Sequence, residues 1–326
     1  MSQPAGAPIA EAYQTLRPLL FSIAYRMLGS VTEAEDIVQE AFVRYHAAVT
    51  SRGEPSSAKA YLSTIVTRLC IDHLNSARVR RESYVGEWLP EPLLTGPESL
   101  VRPAADPAAH AEQSDSLSMA FLLLLERLTP LERAVFLLHD VFGYDYDETS
   151  AIVSRSPASC RQLAHRARQH VEAERPRFDV KAEKRTELAA RFFDAVEHGD
   201  MAGLIGMLAA DVEVHGDGAG VGFSWRKPIV GREHVARLLG ALGRQLTAVQ
   251  GSFQRVEVNG QPGALVRASD GSLIAVLTVD IADGQVQTFR SVLNRDKLRH
   301  LGPLTDLAAL IEQRRGPGSN AAAVEQ

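Results

Sequence analysis

Three prolines, Pro90, Pro92 and Pro97, stand within SYVGEWLPEPLLTGPESL, the stretch from Ser83 to Leu100. They forbid both a regular helix and a central strand there, so the chain is cut between two stretches of helical periodicity. A plain spacer would be built of Gly, Ser and charge. This one keeps Tyr84, Trp88, Leu89, Leu93 and Leu94. Apolar side chains in a segment unable to form its own core imply that it docks onto another part of the molecule.

At 326 residues the chain is long enough for two or three domains, and a hydrophobic content of 45% is ample for globular cores. No window approaches eighteen apolar residues, and the start MSQPAGAPIAEAYQ has neither a basic cluster nor an apolar run. The expectation is a cytoplasmic protein with no membrane contact and no signal peptide. Cys70 and Cys160 lie far apart inside helical patterns, which favours packed, reduced thiols over a disulfide or a zinc site. Neither a metal nor a cofactor is expected. The formal charge of -5 argues against a surface that grips nucleic acid everywhere. Arginines nevertheless gather in SARVRRES and SRSPASCRQLAHRARQHVEAERPR, leaving two basic patches.

In the first helical block, SVTEAEDIVQEAFVRYHAAV places Ala34, Ile37, Val38, Ala41, Phe42 and Tyr45 on one arc of a helix. Asp36, Glu40 and Arg44 fall on the opposite arc, where such a stripe is ordinarily a solvated face. AKAYLSTIVTRLCIDHLNSARVRRE gives a second wheel, with Leu62, Ile65, Val66, Leu69, Cys70 and His73 inward. Its outward face carries Tyr61, Thr64, Arg68, Asp72, Asn75 and Arg78 and runs into Arg80 and Arg81. Guanidinium groups pair with phosphates while aromatic and amide groups stack on or bond to exposed bases, so this mixture suits nucleic acid.

The second block, LLLLERLTPLERAVFLLHDVFGYDYDETSAIVSRSPASCRQLAHRARQHV, reads as helix, turn, short helix, turn, helix. Thr129-Pro130 and Ser156-Pro157 are helix starts. On the last helix Cys160, Ala164, Ala167 and Val171 point inward, while Ser159, Arg161, Gln162, His165, Arg166 and Arg168 are exposed. That is the pattern of a helix-turn-helix recognition helix, whose first residues meet base edges while later arginines take phosphates.

These two blocks resemble, in order and spacing, the core-binding and minus 10 regions and the minus 35 reader of extracytoplasmic function (ECF) sigma factors. The resemblance implies that Asp36, Glu40 and Arg44 meet core RNA polymerase at its clamp helices, with the flap as a further polymerase partner. It implies that Tyr61, Asp72, Asn75, Arg78, Arg80 and Arg81 lie at minus 10 promoter DNA, and that Ser159, Arg161, Gln162, His165, Arg166 and Arg168 lie at the minus 35 duplex. No catalytic residue is implied.

Beyond residue 180 the pattern changes to two helices, a strand, a further helix and then strands punctuated by Asn-Gly and Asp-Gly. Helices followed by an antiparallel meander indicate an α+β domain, and this one resembles the SnoaL-like branch of the NTF2-like cone fold. The expected chain is therefore multidomain, with two all-α domains (1–82 and 114–177) around a Pro-rich linker (83–113), an α+β SnoaL-like domain (183–302) and a tail (303–326). Some SnoaL-like proteins are enzymes, so His215 and Asp217 are weighed as an acid-base pair, but the sequence offers them no partner. An unknown small ligand is a further possible partner of this domain.

An ECF sigma factor followed by a SnoaL-like domain resembles one subgroup of that family. YVGEWLPEPL resembles its YVGPWLPEPL linker motif, with Glu87 where that motif has proline. DGAGV, containing Asp217, Gly218 and Gly220, resembles a DGGGK motif without its lysine, and NRDKL, containing Asn294, Asp296, Lys297 and Leu298, resembles NPDKL. The resemblance implies that Tyr84, Trp88, Leu89 and Leu93 dock the linker on the third domain and control the factor in cis. Two competing classes are a ligand-responsive helix-turn-helix repressor, which leaves the first block without a role, and an enzyme with an accessory DNA-binding part, which requires chemistry at His215 and Asp217.

Overall fold

The computed structural model describes residues 7–81, 84, 86–96, 115–174, 182–219, 227–305 and 310. Two compact units divide the chain, one made of residues 1–83 and 95–176, the other of residues 84–94 and 177–326.

The first unit holds α1 (Ala7–Leu28), α2 (Val31–Arg52), α3 (Ala58–Arg81), α4 (Met119–Leu125), α5 (Pro130–Phe136), α6 (Tyr146–Val153) and α7 (Pro157–Glu174). Several starts have a local cause. Ser30 accepts from the Glu33 amide, and Thr129 with Glu132 and Asp145 with Glu148 close reciprocal capping boxes. The two helical blocks were read as separate domains, yet here they pack as one body. Arg133 of α5 donates to the Met27 carbonyl at 2.5 Å and pairs with Glu126 at 2.8 Å. Ser63 of α3 bonds the Tyr144 hydroxyl at 2.8 Å, which explains why a polar residue lies on the inner face of α3. Burial pulls the Arg26 and Arg133 guanidinium groups down to about 10, which still leaves both charged at neutral pH. Cys70 and Cys160 are buried and free. Among the described residues no helix is long and apolar enough to cross a membrane.

In the second unit α8 (Ala182–His198), α9 (Met201–Met207) and α10 (Arg232–Ala248) pack on one face of a seven-stranded sheet. Its strands are β1 (Leu94–Thr95), β2 (Leu208–Asp217), β3 (Ile229–Val230), β4 (Ser252–Val258), β5 (Gln261–Arg267), β6 (Leu273–Ala282) and β7 (Gln285–Val292), in the order β1-β4-β5-β6-β7-β2-β3. The antiparallel run from β4 to β7 follows the sequence reading. Asn259-Gly260 and Asp283-Gly284 turn it with φ of 54° and 69°, and 52° and 69°, the left-handed pair that a two-residue hairpin requires. One pairing was not legible beforehand, since β2 joins β7 in parallel, with His215 opposite Arg290 and Asp217 opposite Val292. Phe192, Phe193, Val212, Val214, Leu239, Leu277 and Phe289 form the core between helices and sheet. At Gly243 a β-carbon would stand 2.2 Å from the Val196 carbonyl oxygen, so only glycine lets α10 approach α8 this closely.

Candidate nucleic-acid interface and docked linker

On α2 the buried stripe Val31, Ala34, Ile37, Val38, Ala41, Phe42 and Tyr45 leaves Asp36, Glu40 and Arg44 exposed on the opposite side. Arg44 and Glu40 pair at 2.7 Å, one turn apart. Val43 beside them is 65% exposed, an apolar centre among charges.

Tyr61 opens the outward face of α3. With Pro55, Ser56, Ser57, Ala60, Thr64, Ile65 and Arg68 it lines a polar depression of about 410 Å³. Asp72 and Asn75 are exposed further along the same face. The side chains of Arg78, Arg80 and Arg81 lie outside the described residues. Arg68, read as an outward phosphate contact, is instead committed internally. It donates to the Ile152 carbonyl at 3.0 Å and to the Ser154 hydroxyl at 2.7 Å, capping the C-terminal end of α6. His73, read as packed, is half-buried with Nδ1 3.4 Å from Glu33.

Between α6 and α7 the chain turns at Ser154, whose φ of 53° is left-handed. Arg161, Gln162, His165 and Arg166 are exposed on α7, and Ser159 and Arg168 are half-buried. The arginines differ in their present partners. Arg161 lies 5.3 Å from the centre of the Tyr146 ring. Arg166 pairs with Glu132 at 3.0 Å, and Arg168 pairs with Asp140 at 2.7 Å, a hydrogen bond that raises its pKa.

The second unit contains a buried polar centre around Asp217, which is fully enclosed. Its carboxylate accepts from Lys297 Nζ at 2.6 Å, from the Leu89 amide at 2.9 Å and from the Tyr84 hydroxyl. Lys297 also donates to the Leu89 carbonyl and lies 4.4 Å from the Trp88 ring centre. Asn294 caps the short helix α11 (Arg295–Leu298) and donates to the Tyr84 hydroxyl at 2.8 Å. At the other end of the segment the Leu93 amide donates to the Asn259 side chain at 3.0 Å, the Asn259 amide returns a bond to the Leu93 carbonyl, and His300 donates to the Pro92 carbonyl at 2.8 Å. Leu89 and Leu93 are buried and Trp88 is half-buried. Burial together with the Asp217 bond keeps the Tyr84 phenol protonated well above the usual tyrosine range.

Of the motif residues, Tyr84, Trp88, Leu89, Asp217, Asn294 and Lys297 are thus brought together. Gly218 and Leu298 are buried nearby, whereas Asp296 faces solvent and pairs with Arg299 at 2.6 Å. Gly220 lies outside the described residues. Sequence reasoning gave no role to Glu87, Glu213, Asn259 or His300. Asn259 was seen only as a turn residue, and its second task, holding Leu93, leaves no separate mark in the sequence. Nor did it find partners for His215, whose Nδ1 is 2.5 Å from Glu87 and Nε2 3.0 Å from Glu213.

His215 and Asp217 alternate along β2 with the core residues Val212 and Val214, and so face away from the helices. The cavity beneath those helices is lined by Val196, Leu239, Leu242, Phe253, Leu277 and Phe289, with Ser291 among the lining. It is an apolar space with neither carboxylate nor imidazole.

Comparison with known proteins gives two family matches, Sigma-70 region 2 over residues 12–80 and Sigma-70 region 4 over residues 118–171. The chain is 34% identical over 293 residues to the ECF RNA polymerase sigma factor SigJ of Mycobacterium tuberculosis, covering 87% of this chain and 91% of that protein. It is also 34% identical over 203 residues to the probable ECF RNA polymerase sigma factor SigI of the same species, covering 62% of this chain and 67% of that protein. The crystal structure of SigJ superposes with a TM-score of 0.69 at 31% identity, covering 91% of this chain and all of that one.

Proposed function

The chain belongs to the ECF RNA polymerase sigma factors, proteins that direct transcription initiation, and from that premise we propose how its surfaces divide the work. The exposed face of α2, with Asp36, Glu40 and Arg44 around Val43, takes the polymerase clamp helices. The depression beside Tyr61 admits an unstacked base of the minus 10 strand, with Thr64 and Ser57 hydroxyls at its wall and Asp72 and Asn75 further along the strand path. The first turns of α7 read the minus 35 duplex through Ser159, Arg161 and Gln162, and Arg166 and Arg168 take phosphates after leaving Glu132 and Asp140.

The NTF2-like domain controls these readers in cis through the linker. The observation that carries this is the Asp217 centre, where one buried carboxylate holds Tyr84 and Leu89 of the linker and Lys297 of the domain at once. A segment so anchored fixes where the chain leaves the third domain toward the second DNA reader. The apolar cavity under α8 and α10 would suit only a neutral, hydrocarbon-like effector.

Run-off transcription with purified core polymerase tests the proposal. The wild-type chain should yield a defined transcript, and Trp88→Ala, which touches neither DNA-reading helix, should change its amount. A transcript no greater than core alone would defeat the initiation reading. An unchanged yield from Trp88→Ala, together with unchanged protease resistance of the linker, would make the linker a passive spacer.

A further inference from the structure

Glu87 lies between Tyr84 and Leu89, the two linker residues that Asp217 holds. Its carboxylate is largely buried, and Oε2 is sealed from solvent without a hydrogen-bond partner among the described residues. The stabilising contact is at Oε1, 2.5 Å from Nδ1 of His215. The other ring nitrogen of His215 lies 3.0 Å from Glu213 Oε2, two residues back on the same strand. The imidazole is therefore held between two carboxylates, one from the linker and one from the domain.

The charges around it are unequal. Opposite His215 on β7 is Arg290, already paired with Asp280 of β6, and next along β2 is Asp217, already paired with Lys297 of α11. Among the described residues Glu87 and Glu213 are left for His215. A protonated imidazolium donates to both. A neutral ring has one N–H, so one carboxylate must face a nitrogen lone pair.

We propose that Glu87, His215 and Glu213 form a proton-operated latch, in which protonated His215 ties the linker to β2 and loss of that proton weakens the whole dock, the neighbouring Asp217 and Asn259 bonds included. The docked linker is then tighter while the ring carries both protons and looser once it has lost one. Any consequence for transcription rests on the reading that the docked linker controls the factor in cis.

Amide hydrogen exchange on the full chain measures the latch without polymerase. The Leu89 and Leu93 amides, both hydrogen-bonded in the dock, report its opening once rates are corrected for intrinsic pH dependence. In the wild type their protection should fall by about tenfold or more between pH 5.5 and pH 8.5, as expected when one charge-assisted hydrogen bond is lost. In Glu87→Gln and in Glu87→Pro, both confined to the linker and harmless to the domain core, the slope should vanish. His215→Gln should give the same flat profile. A flat wild-type profile, or an undiminished slope in Glu87→Gln, would overturn the latch. If the slope is present but run-off yield ignores the state of the dock, the latch stands and control in cis fails.

Discussion

Lys297 Nζ lies 2.6 Å from Asp217 Oδ2, and the two side chains are among the least exposed charged groups of the molecule. The pair joins the end of β2 to α11, and both partners also bond the backbone of Leu89. An ion pair removed from water is stable only while complete, because each charge alone carries its full desolvation cost. Lys297→Met should therefore cost about 3–5 kcal/mol of stability in the second unit. Urea denaturation checks the loss, and limited proteolysis should show a newly cleavable linker. Resistance equal to wild type would mean that the pair does not hold the segment.

Tyr84→Phe removes one donor from the same carboxylate and leaves the ring. Loss of a hydrogen bond to a charged acceptor should weaken the dock by about 1.5 kcal/mol or more. The wild type should also loosen at high pH. The phenol pKa is raised in the docked state, chiefly by burial and then by Asp217, so its contribution is complete below the ordinary value of 10.0 and fades as pH climbs above it. Hydrogen exchange at Leu89 from pH 10 upward would show that loss, and Tyr84→Phe should not.

On α7 two substitutions should behave in opposite ways. Gln162→Ala should cost about 1–3 kcal/mol at one base pair of the minus 35 element and little elsewhere. Arg168→Ala should weaken all sequences alike and lower the salt slope by about 1. If Arg168 takes a phosphate as proposed, it gives up Asp140 to do so, and Asp140→Asn should strengthen binding without changing sequence preference. Titration of labelled duplexes at several salt concentrations separates the three outcomes.

Arg68→Ala tests the joint between the helical blocks. It strips the cap from the Ile152 carbonyl and the Ser154 hydroxyl, and should lower stability by about 1 kcal/mol. The measurable sign is greater separation of the two blocks, read as a fall in energy transfer between labels on α2 and α7.

Much of this was legible from local signals. Thr129-Pro130 announces a helix start through the chemistry of its own side chains, and Asn259-Gly260 and Asp283-Gly284 announce hairpins by their tolerance of positive φ. The arc of Asp36, Glu40 and Arg44 follows from period alone. What stayed hidden depends on residues distant in sequence. Nothing near Arg68 says that its guanidinium will meet carbonyls of Ala151 and Ile152, and nothing near His215 points to Glu87. The parallel seam between β2 and β7 was missed for the same reason, since alternation along a strand reveals its buried face but not its neighbour.

The joining of α3 to Tyr144 and the end of α6 through Ser63 and Arg68, and of α1 to α5 through Arg133, has a kinetic consequence. The two promoter elements are roughly 25 base pairs apart, about 85 Å of duplex at 3.4 Å per pair. A compact body of some 165 residues has a radius of gyration of only about 15 Å. If its two helical blocks read the two elements as proposed, the first unit must open to reach both. A unimolecular separation must precede or accompany full engagement, so the observed association rate should climb with polymerase concentration and then level off. On that reading the height of the plateau is the opening rate itself, and loss of the Ser63, Arg68 or Arg133 bonds should raise it.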